Sequence, residues 1–303
     1  MKIGRSLGPG PVFTTWTETI LLAIFLLGPF AATAWKSLLA LDPSRPESYG
    51  TFVGLANYVE LFTHEPGFRN SLLASVLFIS IVLIQSSCAL LLAIWLRFLW
   101  PSRLPAGLVV LLITPLLVSP TVVALIGRLY LHDQVGIVSR ALKVMGLLES
   151  TEAPLGSPRG AWISLACLDA WQWLPFTALL FWWAFQLIPR RQIEASKVDG
   201  LPDLMRLRYV ELPHLAGPIA VVVLLRMLEG LRTFDLPQIL TGGGPGISTL
   251  MASLYANRVT FNQQRFGIGA AHLQVLEMAA YVLILFLIRR LQLLRGLLHE
   301  RAS

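Results

Sequence analysis

The stretch from Asn70 to Leu96 contains no charged side chain. It is longer than the roughly 20 apolar residues that a helix needs to cross a lipid bilayer. Five further stretches have comparable length and apolar character, including one with three prolines, which a membrane helix accepts when neighbouring groups hydrogen-bond the freed carbonyls. The six predicted transmembrane helices cover residues 16–40, 70–96, 104–127, 161–188, 215–236 and 267–288.

The overall composition agrees with this class of protein. Hydrophobic residues make up 55% of the 303 residues and charged residues 14%, whereas ordinary globular chains have about 45–50% apolar and about 25% charged residues. The composition excludes a soluble enzyme, a disordered chain and a disulfide scaffold, and it predicts an all-α integral membrane protein. The net charge of +7 is typical here of basic cytoplasmic loops and does not indicate nucleic-acid binding.

The positions of Lys and Arg predict the orientation, because cytoplasmic loops are enriched in them. Basic residues occur in the N-terminal tail 1–15, after the second span, in the loop 189–214 and in the C-terminal tail 289–303. A six-helix topology places all four segments on one side and the loop 41–69 on the other. Both termini are therefore predicted to be cytoplasmic.

The loop 189–214 has a pattern of its own. Asp199-Gly200 is a turn signal, and Pro202-Asp203 suits the first turn of a second helix, which is predicted to end at Leu212-Pro213. This pattern fits a docking element at the membrane face, or else an ordinary amphipathic loop at the interface. The apolar residues of the two predicted short helices are Ile193, Val198 and Leu201, then Leu204, Leu207 and Val210.

The run from Glu194 to Gly200, Glu-Ala-Ser-Lys-Val-Asp-Gly, followed by Leu212-Pro213, resembles the EAA loop of bacterial ABC-importer permeases. The pattern of that loop is Glu-Ala-Ala, two variable residues and Asp-Gly-Ala, with Leu-Pro farther along. The spacing from Glu194 to Pro213 matches without a gap. The departures from the pattern all keep small or apolar character: Ser196 and Leu201 replace alanine, and Leu207 replaces phenylalanine.

Two further motifs resemble the carbohydrate-type members of this family. Phe52–Tyr58 is similar to the Phe-x-Gly-Leu-x-Asn-Tyr segment before their second helix, and Phe234-Asp235 with Thr241–Pro245 is similar to the segment after their fifth. The resemblance therefore extends from about Phe52 to Ile288. It implies a type I ABC importer permease fold with a transmembrane core at 70–288.

The resemblance also implies the function and the partners. The chain would form half of the translocation pathway for a carbohydrate, meaning a sugar, an oligosaccharide or a glycerol-phosphate-like solute, in a bacterial cytoplasmic (inner) membrane. It would pair with a second homologous permease, or with its own copy, and with two ATPase subunits that hold ATP and Mg²⁺. An external solute-binding protein would deliver the substrate. The implied ATPase-coupling residues are Glu194, Ala195, Ser196, Asp199 and Gly200.

The chain itself has no recognisable site for ATP hydrolysis. A phosphate-binding P-loop needs Gly-Lys-Ser/Thr, and no Gly-Lys pair occurs. The five histidines are scattered, and no nucleophile context or metal-ligand spacing is found. We therefore expect a transport subunit without a catalytic, cofactor or metal site. The alternative is an ion-driven secondary transporter, which would need buried ionisable groups as ion sites.

Charged residues inside predicted spans are costly and indicate function by default. Four of them step by three along the fifth span, where they form either a self-neutralising structural ladder or a polar lining of the substrate path. In the fourth span, Asp169, Trp171 and Gln172 combine an aromatic face with hydrogen-bonding groups, so they are candidates for the same path. The charged residues of the fifth span are Arg226, Glu229, Arg232 and Asp235.

A glycine run follows the fifth span on the predicted external side. It consists of Gly242, Gly243 and Gly244, followed by Pro245. One interpretation is a flexible turn after a helix. The other is an external gate or a contact for the binding protein.

Overall fold

The computed structural model describes residues 12–147 and 153–300. Within these ranges the fold is helical, with one isolated antiparallel bridge between Leu39 and Phe52. Most of the predicted tail 1–15 lies outside the described residues. The α-helices are α1 (Val12–Ser37), α2 (Ala56–Thr63), α3 (Pro66–Leu99), α4 (Ala106–Leu117), α5 (Pro120–Tyr130), α6 (Ile137–Val144), α7 (Pro158–Phe185), α8 (Arg190–Val198), α9 (Asp203–Arg206), α10 (Leu212–Arg232), α11 (Asp235–Leu240), α12 (Ala252–Asn257) and α13 (Phe266–Glu300).

The chain divides into two compact units, and the first contains the residues up to Glu65 together with Ala256–Glu277. Its Phe-x-Gly-Leu-x-Asn-Tyr motif fastens the end of α1. Asn57 donates from Nδ2 to the carbonyl oxygens of Ser37 and Leu39, at 2.8 and 2.9 Å. The hydroxyl of Tyr58 lies 2.7 Å from Ser37 Oγ. The motif therefore has a structural role in this unit.

Arg265 forms a second set of contacts that stabilises the first unit. Its guanidinium donates to the carboxylates of Glu65 and Glu60. Burial alone would lower the pKa of Arg265, but the hydrogen bond and charge of Glu65, with the charge of Glu60, raise this pKa above its ordinary value. The guanidinium therefore stays ionised and holds two acidic groups together.

The second unit contains Pro66–Tyr255 and the residues from Met278 onward. Helix α3 packs along α7, and α10 packs against both. Small residues at the contact, such as Ala89, Ala93 and Ala178, are fully buried and let the helix backbones approach closely. Their neighbours in the same core include Leu96, Leu179, Trp182, Phe185 and Leu215.

The predicted third span, 104–127, is not one helix. It consists of α4 and α5, which are bent by 84° at a short break. The ring of Pro120 disfavours helical geometry at the residue before it, and Ser119 is accordingly extended, with ψ of 141°. The carbonyl freed at Val118 accepts a hydrogen bond of 2.7 Å from Gln172 Nε2 on α7.

Four helical segments are long and apolar enough to cross a membrane, counted over the residues whose side chains are described, or five if the bent pair is one span. The six-span count and the cytoplasmic termini stay predictions. The fifth predicted span shifts: its helical segment is Asp203–Arg232, and the chain leaves the helix at Thr233. The last helix, α13, continues past the predicted end at 288 to Glu300.

Candidate coupling and translocation sites

The residues 190–200, here called the coupling segment, form helix α8 and a tight C-terminal turn. The amide of Gly200 donates to the carbonyl of Lys197, and the amide of Leu201 donates to that of Ser196, both at 3.0 Å. This is the Schellman arrangement, which needs a left-handed residue. Gly200 supplies it, with φ of +73°. The predicted helix, glycine turn and second helix are therefore all present.

The coupling segment packs with only part of its surface. Ser196 is buried, and Ile193 packs against the core of the second unit. Glu194, Ala195 and Asp199 are exposed, and Val198 is 87% exposed. The predicted apolar face with Ile193 and Val198 is thus divided, and the half with Val198 is uncovered in the isolated chain.

The second short helix does not end at Leu212-Pro213, which corrects the sequence prediction. Helix α9 continues through a π-helical turn, Leu207–Glu211, into α10. Pro213 lies at the start of α10, just after this turn. The three predicted stripe residues also differ: Leu207 is buried, Val210 is half-buried and Leu204 is 74% exposed.

A buried ionic cluster lies at this turn, and we call its members Arg97, Arg206 and Glu211 the basal cluster. Glu211 is fully buried and its Oε1 accepts from Arg97 Nη2 and, at 3.1 Å, from Arg206 Nε. Arg206 also pairs with the exposed carboxylate of Asp203. The guanidinium of Arg97 lies 5.4 Å from the ring centre of Phe185. The basal cluster thus joins α3, α7 and the π-helical turn.

A second buried cluster lies farther along the same helices, and we call Gln85, Asp169, Trp173 and Arg226 the central cluster. Arg226 Nη2 donates to Asp169 Oδ2 at 2.7 Å and to Gln85 Oε1 at 3.3 Å. The guanidinium lies 4.7 Å from the ring centre of Trp173. Asp169 is 4% exposed and Arg226 is 5% exposed. Three helices, α3, α7 and α10, therefore meet around one ion pair.

The central cluster retains one unused hydrogen-bond donor. Nη1 of Arg226 is buried and has no hydrogen-bond partner among the described residues. An unpaired buried donor costs free energy, and a ligand oxygen is one partner that would satisfy it. The Trp173 ring beside it offers a planar apolar face.

The other charged residues of the fifth predicted span do not form a ladder with Arg226. Glu229 and Arg232 are exposed on α10. Asp235 is also exposed, but it begins α11, beyond the break after Arg232. The acidic partner of Arg226 is Asp169, on another helix. The self-neutralising ladder is therefore wrong for Arg226.

The two remaining residues of the fourth-span prediction have separate surroundings. Gln172 is buried and hydrogen-bonds the carbonyl at the break between α4 and α5, so its contact is structural. Trp171 is half exposed and lines an apolar cavity of about 770 Å³ among α5, α6 and α7. Only Asp169 of this predicted trio lies in the central cluster.

The glycine run after α11 is an ordered turn. Gly242 and Gly243 have φ of +61° and +87°, which glycine adopts without steric cost. The hydroxyl of Thr249 donates to the carbonyl of Gly244 at 2.8 Å and lies 2.7 Å from Thr241 Oγ1. The structure thus shows a hydrogen-bonded turn directly after a helix, and the role as an external gate or a contact for the binding protein stays a prediction.

Sequence reasoning missed Gln85, Trp173 and the basal cluster. After Asn70 at its first position, Gln85 is the only amide in the uncharged second span, and this signal indicates a buried polar contact. The sequence alone places Arg97 among the basic residues after the second span and Glu211 inside the loop 189–214. Their pairing joins residues far apart in the chain, which no local pattern shows.

Comparison with known proteins identifies the family. Residues 67–294 match the family described as binding-protein-dependent transport system inner membrane component. The chain belongs to this family. The match covers the whole second unit through α10 and most of α13, so it includes both the coupling segment and the central cluster. An ion-driven secondary transporter is not favoured.

Curated relatives of this inner-membrane component are named as sugar and glycerol-phosphate permeases. The sulfoquinovosyl glycerol transport system permease protein SmoG of Agrobacterium fabrum is 30% identical over 83% of this chain and 80% of its own length. The trehalose/maltose transport system permease protein MalF of Thermococcus litoralis is 30% identical over 86% and 85%. The sn-glycerol-3-phosphate transport system permease protein UgpA of Yersinia pestis is 30% identical over 81% and 82%.

Solved structures share the fold of this component. A bacterial ABC transporter involved in the import of the acidic polysaccharide alginate matches with a TM-score of 0.73 and 19% identity, over 92% of this chain and 94% of that chain. A bacterial alginate ABC transporter in complex with alginate pentasaccharide-bound periplasmic protein matches with a TM-score of 0.72 and 20% identity, over 91% and 92%. The ABC importer permease fold predicted from the sequence is confirmed.

Proposed function

We propose that this permease forms half of the translocation pathway of a bacterial importer for a carbohydrate, which ATP hydrolysis on separate ATPase subunits drives through the coupling segment. The substrate class, a sugar, an oligosaccharide or a glycerol-phosphate-like solute, is supported by the names of the relatives. ATP and Mg²⁺ would be held by the two ATPase subunits, since the chain has no P-loop.

The observation that carries this proposal is the uncovered surface of the coupling segment. In this short helix and its glycine turn, the side chains of Val198, Glu194 and Asp199 are exposed on the protein surface. Close by in sequence, Leu204 and Tyr209 are also exposed. Apolar groups mixed with carboxylates suit a cleft in a partner protein, and such patches mark interaction sites. In the proposed cycle, ATP brings the paired coupling segments together and turns the pathway from inward-facing to outward-facing.

The central cluster is the proposed substrate contact. Guanidinium groups bind carboxylate, phosphate and hydroxyl oxygens, and Arg226 has a free donor beside the Trp173 ring. The exposed Glu229 and Arg232 extend the polar surface of α10 beyond it. Because charged groups are costly in contact with lipid, this face of α10 would line the pathway or meet the second permease.

The remaining partners complete the assembly. A second homologous permease would supply the other half of the pathway, and an external binding protein would deliver the carbohydrate. The ordered glycine turn, Gly242–Pro245, would lie on the external side as a gate or as a contact for the binding protein. Its hydrogen bonds to Thr241 and Thr249 give it a defined surface for either role.

Uptake by the reconstituted importer tests the proposed function. Proteoliposomes containing both permeases, the ATPase and ATP, with the binding protein outside, would be offered radiolabelled maltose, trehalose, sn-glycerol 3-phosphate and sulfoquinovosyl glycerol in turn. We expect uptake of at least one, dependent on ATP and on the binding protein. Uptake that persists without ATP, or rejection of every carbohydrate while another solute class is imported, would contradict the proposal.

Gly200→Asp tests the coupling segment itself. The left-handed turn at Gly200 has open space around it, so the variant should insert normally but distort the docking surface. We expect uptake per ATP hydrolysed to fall by about tenfold or more, within the range of ordinary coupling energies. Gly50→Asp is the matched control, because Gly50 also has a positive φ, of +82°, and open surroundings but lies outside the segment. Normal coupling in Gly200→Asp at normal expression would refute the proposed docking.

A further inference from the structure

The coupling segment is joined to a single helical rod that reaches the central cluster. Helix α9, the π-helical turn and α10 run continuously from Asp203 to Arg232, and only Leu201-Pro202 separates this rod from Gly200. At about 1.5 Å per residue, Arg226 lies roughly 35 Å along the rod from Asp203. The coupling segment is therefore connected to the ion pair of the central cluster by one continuous helical segment.

The π-helical turn in this rod has an identifiable cause. Proline lacks an amide hydrogen, and inside a helix its ring clashes with the carbonyl four residues earlier. Pro213 occupies such a position in the rod, four residues after Tyr209. The backbone responds with a wider turn, in which the amide of Leu212 donates to the carbonyl of Leu207, five residues earlier. Pro213 therefore favours the wider turn directly before it.

The wider turn brings Arg206 and Glu211 together. In a regular α-helix, residues five apart point about 140° away from each other. In a π-helical turn they lie on the same side, because the hydrogen bonds connect residues five apart. Arg206 Nε reaches Glu211 Oε1 at 3.1 Å in this geometry. Turns of this kind occur often at functional sites.

The rod is hydrogen-bonded to α3 at two positions along its length. The lower fastening is the hydrogen bond from Arg97 to Glu211, and the upper one is that from Arg226 to Gln85. Along the rod, Glu211 and Arg226 are about 22 Å apart. The two contacts therefore hold α10 to α3 in one register, with apolar packing between them.

We propose that Glu211 is a positioning residue of the transport cycle: through the basal cluster it locks the rod to α3 and so converts movement of the coupling segment into movement at the central cluster. This inference rests on the proposed coupling to an ATPase. Glu211 is fully buried, so its carboxylate lies away from the exposed docking surface of the coupling segment. It acts because its carboxylate holds Arg97 and Arg206 in the one geometry that the π-helical turn allows.

Three variants separate a positioning role from a purely structural one. Glu211→Gln removes the charge and keeps the shape of the side chain. Pro213→Ala removes the ring that favours the π-helical turn without changing any charge, and Pro218→Ala, at the other proline inside α10, is its matched control. The double variant Arg97→Met with Glu211→Leu replaces the ion pair between α3 and the rod by apolar groups, which restores stability in many buried ion pairs, while Arg206 keeps its ion pair with the exposed carboxylate of Asp203.

The readout is the number of substrate molecules imported per ATP hydrolysed, measured in proteoliposomes with the radiolabelled carbohydrate that the wild type imports. Thermal stability of the purified complex is measured in parallel. We expect Glu211→Gln and Pro213→Ala to lower this ratio by about five- to 150-fold, and Pro218→Ala to leave it within about twofold. The double variant should have nearly wild-type thermal stability and a ratio as low as that of Glu211→Gln.

The outcomes distinguish this inference from the proposed function. If Gly200→Asp uncouples transport but Glu211→Gln, Pro213→Ala and the double variant keep the wild-type ratio, the positioning role is wrong and the docking proposal stands. If Gly200→Asp also keeps the wild-type ratio, the docking proposal itself fails. A double variant that regains both stability and coupling would show that the basal cluster only stabilises the fold.

Discussion

Removal of the Asp169 carboxylate tests whether the central cluster is a true buried ion pair. Asp169→Ala deletes the acceptor of the 2.7 Å hydrogen bond from Arg226. The guanidinium keeps only the longer contact to Gln85 Oε1, at 3.3 Å, and the Trp173 ring. Because Arg226 is 5% exposed, bulk water has little access to its guanidinium. The variant therefore leaves a buried positive charge without its counter-charge.

The magnitude follows from the burial of both partners. Removing one partner of a buried ion pair costs about 3–5 kcal/mol. At about 1.4 kcal/mol for each factor of ten, the folded-to-unfolded ratio should fall by roughly two to three and a half orders of magnitude. Replacing both residues, as in Asp169→Leu with Arg226→Met, should recover most of this loss, since neither charge then remains in the interior. The same double variant should lose substrate uptake if Arg226 binds substrate.

Reversible unfolding in mixed micelles of increasing denaturing detergent measures these differences. Glu229→Ala serves as the control, because Glu229 is an exposed charge on the same helix and should change the free energy of unfolding by about 0.5 kcal/mol or less. A loss below about 1 kcal/mol for Asp169→Ala would refute the buried-pair reasoning. So would a double variant that is no more stable than the single one.

Two further predictions concern stability elsewhere in the chain. Gly136→Ala should lower the free energy of unfolding by about 1–3 kcal/mol, because the added Cβ would lie 2.3 Å from the carbonyl oxygen of Tyr130. Gly107→Ala is the control, because Gly107 has open surroundings. Equal stability of the two variants in thermal unfolding would contradict this prediction. Asn57→Asp should destabilise the first unit by about 1–3 kcal/mol, because an ionised carboxylate cannot donate to the two carbonyls that Asn57 binds; unchanged proteolytic resistance of α1 and α2 would argue against it.

The fold class was predictable from the sequence because it depends on local composition. Long and mainly apolar stretches predict the helices α3 and α7 whatever their partners are. The break between α4 and α5 was not predicted, although Pro115 and Pro120 were visible. A proline in a membrane helix produces either a kink or a break, and the choice depends on whether a neighbour such as Gln172 satisfies the freed carbonyl.

The coupling segment was predictable for a similar reason. Helix α8 and its glycine turn depend on residues within one short stretch, and the left-handed turn requires glycine at position 200. The predicted end of the second helix was wrong because a Leu-Pro pair is compatible with two local backbone structures. A helix can end before a proline, or it can widen into a π-helical turn, and here the buried contacts of Glu211 stabilise the second.

The sequence by itself determined that this chain is a helical membrane protein of a binding-protein-dependent transport system, with an exposed segment suited to a partner. Only the tertiary structure decided which charges are buried and with which partners. Asp169 pairs with Arg226, and Arg97 pairs with Glu211, because the packing of α3, α7 and α10 brings distant residues together. A buried charge is stable only beside its counter-charge, and the identity of that counter-charge depends on three-dimensional distance rather than on sequence spacing.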